Sequence, residues 1–98
     1  MTGMQYNLPE RVLKDIMTFA QRNDIQKVVL FGSRARGVHT EKSDIDLVVS
    51  GGEFEGFYWD IKENAHSLLS FDIVDGRAIS EDLKEEIERD GITLYEKT

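Results

Sequence analysis

Cysteine is missing from the sequence, which excludes disulfides and thiolate metal sites and suits a reducing compartment. Long apolar runs are missing too, since stretches such as Leu47-Val48-Val49 are far too short to cross a bilayer. No basic, apolar leader of the secretory type precedes them, so a cytoplasmic protein with no membrane partner is expected. Basic side chains are scarce: 12 Lys and Arg stand against 19 Asp and Glu, a formal net charge of −7. A surface that tracks a phosphate backbone draws its affinity from clustered Lys and Arg, so direct binding of a nucleic-acid polymer is disfavoured. A triphosphate is not excluded, because metal ions held by carboxylates supply positive charge locally. Length sets a further bound: 98 residues leave room for one domain, 1–98, and one modest core.

What is present reads as a small α/β chain. Residues Met1 to Asn7 carry little pattern. The single proline, Pro9, suits a helix start, and Val12, Leu13, Ile16, Met17, Phe19 and Ala20 continue at helical spacing, predicting a helix to Arg22. Gln26 to Phe31 is an apolar strand with both faces buried. Ser33 to Gly37 is a short helix, and His39 to Ser43 a polar loop. Asp44 to Ser50 is the second strand, ended by Gly51-Gly52. Phe57, Ile61, Ala65 and Leu68 predict a helix from about Glu55 to Leu69. Phe71 to Asp75 is the third strand, closed by Gly76. Ser80 is an N-cap, Leu83 and Ile87 face inward, Gly91 ends the helix, and Ile92 to Tyr95 is a short extended segment. The order is α-β-α-β-α-β-α, a small mixed sheet with flanking helices.

The chemistry concentrates in Leu30-Phe31-Gly32-Ser33-Arg34-Ala35-Arg36-Gly37 and in Ser43-Asp44-Ile45-Asp46-Leu47. A Gly-Ser turn leaving a strand presents backbone N–H groups and a hydroxyl to a phosphate. Asp44 and Asp46, one residue apart on a strand, point the same way and can share divalent metal ions. Asp72 sits mid-strand, where aspartate is depleted and an unpaired charge is costly, so a compensating ion is expected.

Taken singly, each feature also has an ordinary reading. Gly32-Ser33 is a common turn and cap, and Asp44 and Asp46 suit the solvated mouth of a strand. No three spaced glycines mark a dinucleotide fingerprint, and no Gly-Lys-Ser/Thr marks a P-loop. Arg34 is the favoured arginine for a phosphate contact, while Arg36 is left open. His39 and His66 lack partners at metal-ligand spacing and read as ordinary surface or partly buried histidines. Phe57, Tyr58 and Trp59 form an apolar face for a core or a partner, and Glu81 to Asp90 reads as a solvated face.

In combination, Gly-Ser-Arg-Ala-Arg-Gly, Ser-Asp-Ile-Asp-Leu and the later Asp-Ile-Val-Asp strand resemble the nucleotidyltransferase superfamily that includes DNA polymerase beta. Within it they are most similar to the minimal nucleotidyltransferases, or MNT proteins. The resemblance implies the nucleotidyltransferase fold, with Asp44, Asp46 and Asp72 as catalytic residues holding two Mg2+ ions. It also implies Gly32, Ser33 and Arg34 at the phosphates of ATP. Asp75 is the competing strand carboxylate.

The implied activity is transfer of AMP from ATP to a hydroxyl. By resemblance, that acceptor is a tyrosine of a helical HEPN toxin, which the chain would silence as an antitoxin, in a homo- or hetero-oligomer. The alternatives are a module that neutralises a partner by contact alone and a small-molecule transferase of the aminoglycoside type. The full set of mutually repelling carboxylates favours the enzyme over the contact-only module.

Overall fold

The computed structural model describes residues 4–5, 8–65 and 67–97; His66 and most of the segment preceding Leu8 lie outside the described residues. A two-stranded antiparallel pair, β1 (Met4–Gln5) and β2 (Leu8–Pro9), leads into helix α1 (Glu10–Arg22). Then follow β3 (Lys27–Phe31), the one-turn helix α2 (Ser33–Arg36), β4 (Ile45–Ser50), α3 (Phe54–Asn64) and β5 (Phe71–Asp75). A 3-10 turn over Gly76–Ala78, helix α4 (Glu81–Asp90) and β6 (Ile92–Glu96) complete the described chain.

The main sheet has the order β5-β4-β3-β6. Strands β3 and β4 are antiparallel, β4 and β5 parallel, and β6 runs antiparallel along the free edge of β3 with a register shift between Val28 and Val29. The segment expected to be merely extended after Gly91 is therefore a full sheet strand. Its β3 neighbour is apolar on both faces, as expected, with Val28 to Phe31 all buried.

Alternation sorts the sheet into two faces. Val28, Leu30, Ile45, Leu47, Val49, Phe71, Ile73 and Leu94 join Val12, Leu13, Ile16, Phe19, Phe57 and Ile61 of α1 and α3 in the core. The opposite face carries Val29, Asp46 and Val48, with α4 packed over β3. Burial of this one-sided stripe is what holds α1 and α3 on the sheet, at about 25 cal/mol for each Å² of apolar surface removed from water.

Three expectations are corrected. Helix α3 ends at Asn64, not near Leu69: Ala65 is extended, the Ser67 hydroxyl accepts the Leu69 N–H, and Leu68 is fully exposed. A serine that bonds the backbone locally competes with helix continuation. Met17, counted in the α1 stripe, is 40% exposed because Leu13, Ile16 and Ala20 already fill the contact face. Asp44 precedes β4 rather than opening it.

Candidate active site

Strand β3 delivers the chain to Gly32, whose φ of +78° is a conformation that L side chains rarely adopt. Phe31 pairs with Asp46 across β3 and β4, so the turn leaves the sheet directly beside that aspartate. A Cβ on Gly32 would overlap the Asp46 carboxylate and stand 3.1 Å from its Cγ. Backbone conformation favours glycine here, and any side chain would also have to displace the Asp46 carboxylate.

After Gly32, a single helical turn forms: Arg36 N–H donates to the Gly32 carbonyl at 3.2 Å, and left-handed Gly37 closes it with its N–H on the Arg34 carbonyl at 3.3 Å. Three residues apart, Ser33 and Arg36 share one side of this turn, while Arg34 points elsewhere.

Strand register supplies the second half of the site. Asp46 of β4 and Asp72 of β5 are direct partners in the parallel pairing, which puts both carboxyl groups on one face of the sheet. Asp44, just before β4, adds a third charge acting on Asp46. Partial burial first, then Asp72, Asp44 and Glu86, push the Asp46 carboxyl up to about 6, while Arg36 alone pulls it down. Such a site concentrates negative charge that a divalent cation would relieve, and in chemical type the oxygen donors suit magnesium. Among the described residues, no three His, Cys, Asp or Glu side chains are gathered as a ready-made ligand set, so the carboxylates converge by face rather than by closed coordination.

The arginine expected at the phosphates is used elsewhere. Arg34 is 1% exposed, and its Nε donates to the Ser43 carbonyl at 3.1 Å while Nη2 donates to those of Thr40 and Glu41 at 3.4 and 3.2 Å. This guanidinium braces the loop that leads to Asp44, and burial lowers its pKa. Arg36, the arginine left open, is exposed, and its Nη1 lies 3.3 Å from Oε2 of Glu86 on α4.

Asp75 is separated in role from the aspartate group. Its carboxylate caps the 3-10 turn, accepting from Arg77 N–H at 2.9 Å and pairing with Arg77 Nη2 at 2.9 Å, and these bonds lower its pKa. Glu86 was hidden in the presumed solvated run, though helical spacing from Leu83 through Glu86 to Ile87 was a usable signal. His39 is half-buried, with Nδ1 lacking a partner among the described residues. Phe57 is in the core, Tyr58 stacks edge-on with Trp59, and Trp59 is 55% exposed.

The family model described as "Polymerase beta, Nucleotidyltransferase" matches residues 14–98. MJ0604 of Methanocaldococcus jannaschii, a candidate protein adenylyltransferase, is 42% identical over 45 residues, 43% of this chain and 45% of that protein. The match therefore spans less than half the length of that relative. A chain of a toxin–antitoxin crystal structure with AMP-PNP superposes with a TM-score of 0.70 at 25% identity, covering 88% of this chain and 74% of that one. A chain from the complex of a tri-AMPylated Shewanella oneidensis HEPN toxin with an MNT antitoxin has the same fold, with a TM-score of 0.63 at 22% identity over 90% of this chain and 72% of that one.

Proposed function

Because the chain belongs to the polymerase beta nucleotidyltransferase family, we propose that it moves AMP from ATP onto a hydroxyl of a partner protein. The observation that carries this reading is the in-register pair Asp46 and Asp72 on the face where the Gly32 turn leaves the sheet. Carboxylates and a Gly-Ser turn meet there, and nothing in a pure binding surface calls for three repelling acids.

In the proposed site, Asp44, Asp46 and Asp72 hold two magnesium ions, and Gly32 and Ser33 face the terminal phosphates. Bound magnesium supplies charge neutralisation at the α-phosphate and the departing pyrophosphate. Asp72, which is exposed on β5, would orient the incoming hydroxyl and accept its proton. The new bond joins that oxygen to the α-phosphorus, and the bond to the pyrophosphate oxygen breaks in line.

We take the acceptor to be a tyrosine of a HEPN-type toxin, silenced by the modification. The relative named for protein adenylylation and the structural neighbour bound to an AMPylated HEPN toxin support this assignment. Co-expression with the HEPN partner, followed by intact-mass measurement, tests it. The expected result is a partner heavier by one or more AMP groups, reverting to the unmodified mass with Asp72→Asn. An unmodified partner neutralised equally well by Asp72→Asn would favour contact-only neutralisation.

A further inference from the structure

Asp72 lies on an outermost strand, since β5 ends the sheet order and has only β4 beside it. The ladder therefore holds its backbone from one side, and a fixed aim for the carboxylate calls for a second hold. The phase of the ladder is set where the strand begins: Ile45 N–H donates to the Ser70 carbonyl at 2.9 Å, and Phe71 pairs with Ile45. Backbone groups alternate in direction along a strand, so Asp72 N–H faces β4 while the Phe71 carbonyl points out of the sheet edge. Such a carbonyl is ordinarily left to water.

Here a side chain takes it. Lys62, in the last turn of α3, donates from Nζ to the Phe71 carbonyl at 2.7 Å. The same ammonium stands 5.4 Å from the centre of the Tyr58 ring, one turn back on the helix, which steers the lysine toward β5. Lys62 is otherwise exposed, so these contacts rather than burial hold its side chain. A lysine at a helix C-terminus ordinarily serves that helix's own carbonyls, whereas this one crosses to another element. A cavity of about 210 Å³ opens at the same junction, lined by Ile61, Ala65, Ser70 and Phe71 among others, so the described side chains leave it loosely packed. The charge-assisted bond acts on the rigid peptide plane that joins Phe71 to Asp72. Turning that plane turns both side chains, and Phe71 enters the core while Asp72 leaves on the face of Asp46.

Resting on the nucleotidyl-transfer reading, we infer that Lys62 is a positioning residue for Asp72: through the Phe71 carbonyl it fixes the peptide plane from which the Asp72 carboxylate is aimed. Its loss acts on the step that Asp72 serves and spares nucleotide binding at the Gly32 turn.

Lys62→Met removes the donor, whereas Lys62→Arg keeps a charged one. With saturating magnesium and the partner protein, Lys62→Met is expected to lower kcat for AMP transfer about tenfold while KM for ATP stays within about twofold. Lys62→Arg should restore most of that rate. In an Asp72→Asn background Lys62→Met should cause no further fall, because it acts through Asp72. Amide hydrogen exchange without nucleotide or metal gives an independent readout. Exchange at Asp72 is expected to quicken about threefold or more in Lys62→Met but not in Lys62→Arg, with Val28 to Leu30 of β3 unchanged. An unchanged kcat with only a lowered melting temperature overturns the inference, since the bond would then merely fasten α3 to β5. Equal falls in kcat with and without Asp72 overturn it too, as does unchanged exchange at Asp72. Wild-type protein that transfers no AMP to the partner overturns the nucleotidyl-transfer reading itself, and this inference with it.

Discussion

Gly32 and Asp46 occupy one space: the position where any other residue's Cβ would project from Gly32 is filled by the Asp46 carboxylate. The turn and the acid are therefore a single fitted unit, with Phe31 paired to Asp46 holding the two in register. The closeness means that any side chain at this turn must displace the Asp46 carboxylate, on top of the strained φ.

Gly32→Ala is expected to destabilise the fold by about 2 kcal/mol, from the strained φ and the overlap together. Asp46→Ala in the same chain removes the overlap and leaves the strain. Urea denaturation of the two single variants and the double variant checks this: the double is expected to be more stable than the sum of the singles predicts, by at least about 0.5 kcal/mol. Strict additivity would show that the two residues do not share the space.

A pH dependence follows from the same carboxylate. The Asp46 carboxyl is raised from 3.8 to about 6 in the folded chain, so the native state binds its proton more tightly than the unfolded state does. Stability from this group is then complete below about pH 3.8 and is lost as the pH rises through about 6. In chelator, Asp46→Asn should be more stable than wild type at pH 7.5 by about 1 kcal/mol, a figure discounted for the exposure of the site. At pH 3.5 the difference should vanish. Magnesium should narrow the gap at pH 7.5, because a bound cation favours the charged carboxylate. Urea midpoints at the two pH values decide the matter.

Arg34 and Arg36 should separate cleanly in stability. Arg34→Met removes donors from the carbonyls of Thr40, Glu41 and Ser43 and is expected to cost about 2–3 kcal/mol. Arg34→Lys should recover little, since one ammonium does not span three carbonyls set by a planar fork. Arg36→Met, at an exposed pair, should shift stability by less than about 1 kcal/mol. Thermal unfolding without nucleotide measures both, and equal losses would contradict the buried brace.

The positions that gather at the candidate site are legible in the sequence where their signals are local. A glycine and serine after an apolar strand, alternation around Ile45, and a charge inside Phe71–Asp75 are all readable within a few residues. What was not legible depends on strand neighbours and loop paths. That Asp72 pairs with Asp46 follows from β5 lying parallel beside β4, an arrangement set by the crossover through α3. That Arg34 is buried while Arg36 stays open follows from the path of the loop over 37–43, which turns its carbonyls toward Arg34. Helix α3 was overextended for a related reason: Ala65 and Leu68 continue the apolar spacing, but a serine turn takes the chain off the helix after Asn64.

Asp72 and Asp75 offer the sharpest contrast, since both are carboxylates on one five-residue strand. Alternation sends Asp72 to the face of Asp46, whereas Asp75 turns to cap the following 3-10 turn and pairs with Arg77. Asp72→Asn is expected to leave stability within about 0.5 kcal/mol of wild type. It should lower AMP transfer by on the order of a hundredfold or more, because in the proposed site it removes both a cation ligand and the proton acceptor. Asp75→Asn should do the reverse, loosening the turn after β5 while keeping transfer near the wild-type rate. Labelled ATP, magnesium and the partner protein give the rates, and urea midpoints give the stabilities. If Asp75→Asn abolished transfer and Asp72→Asn did not, the third acid of the site would have to be reassigned to the end of β5.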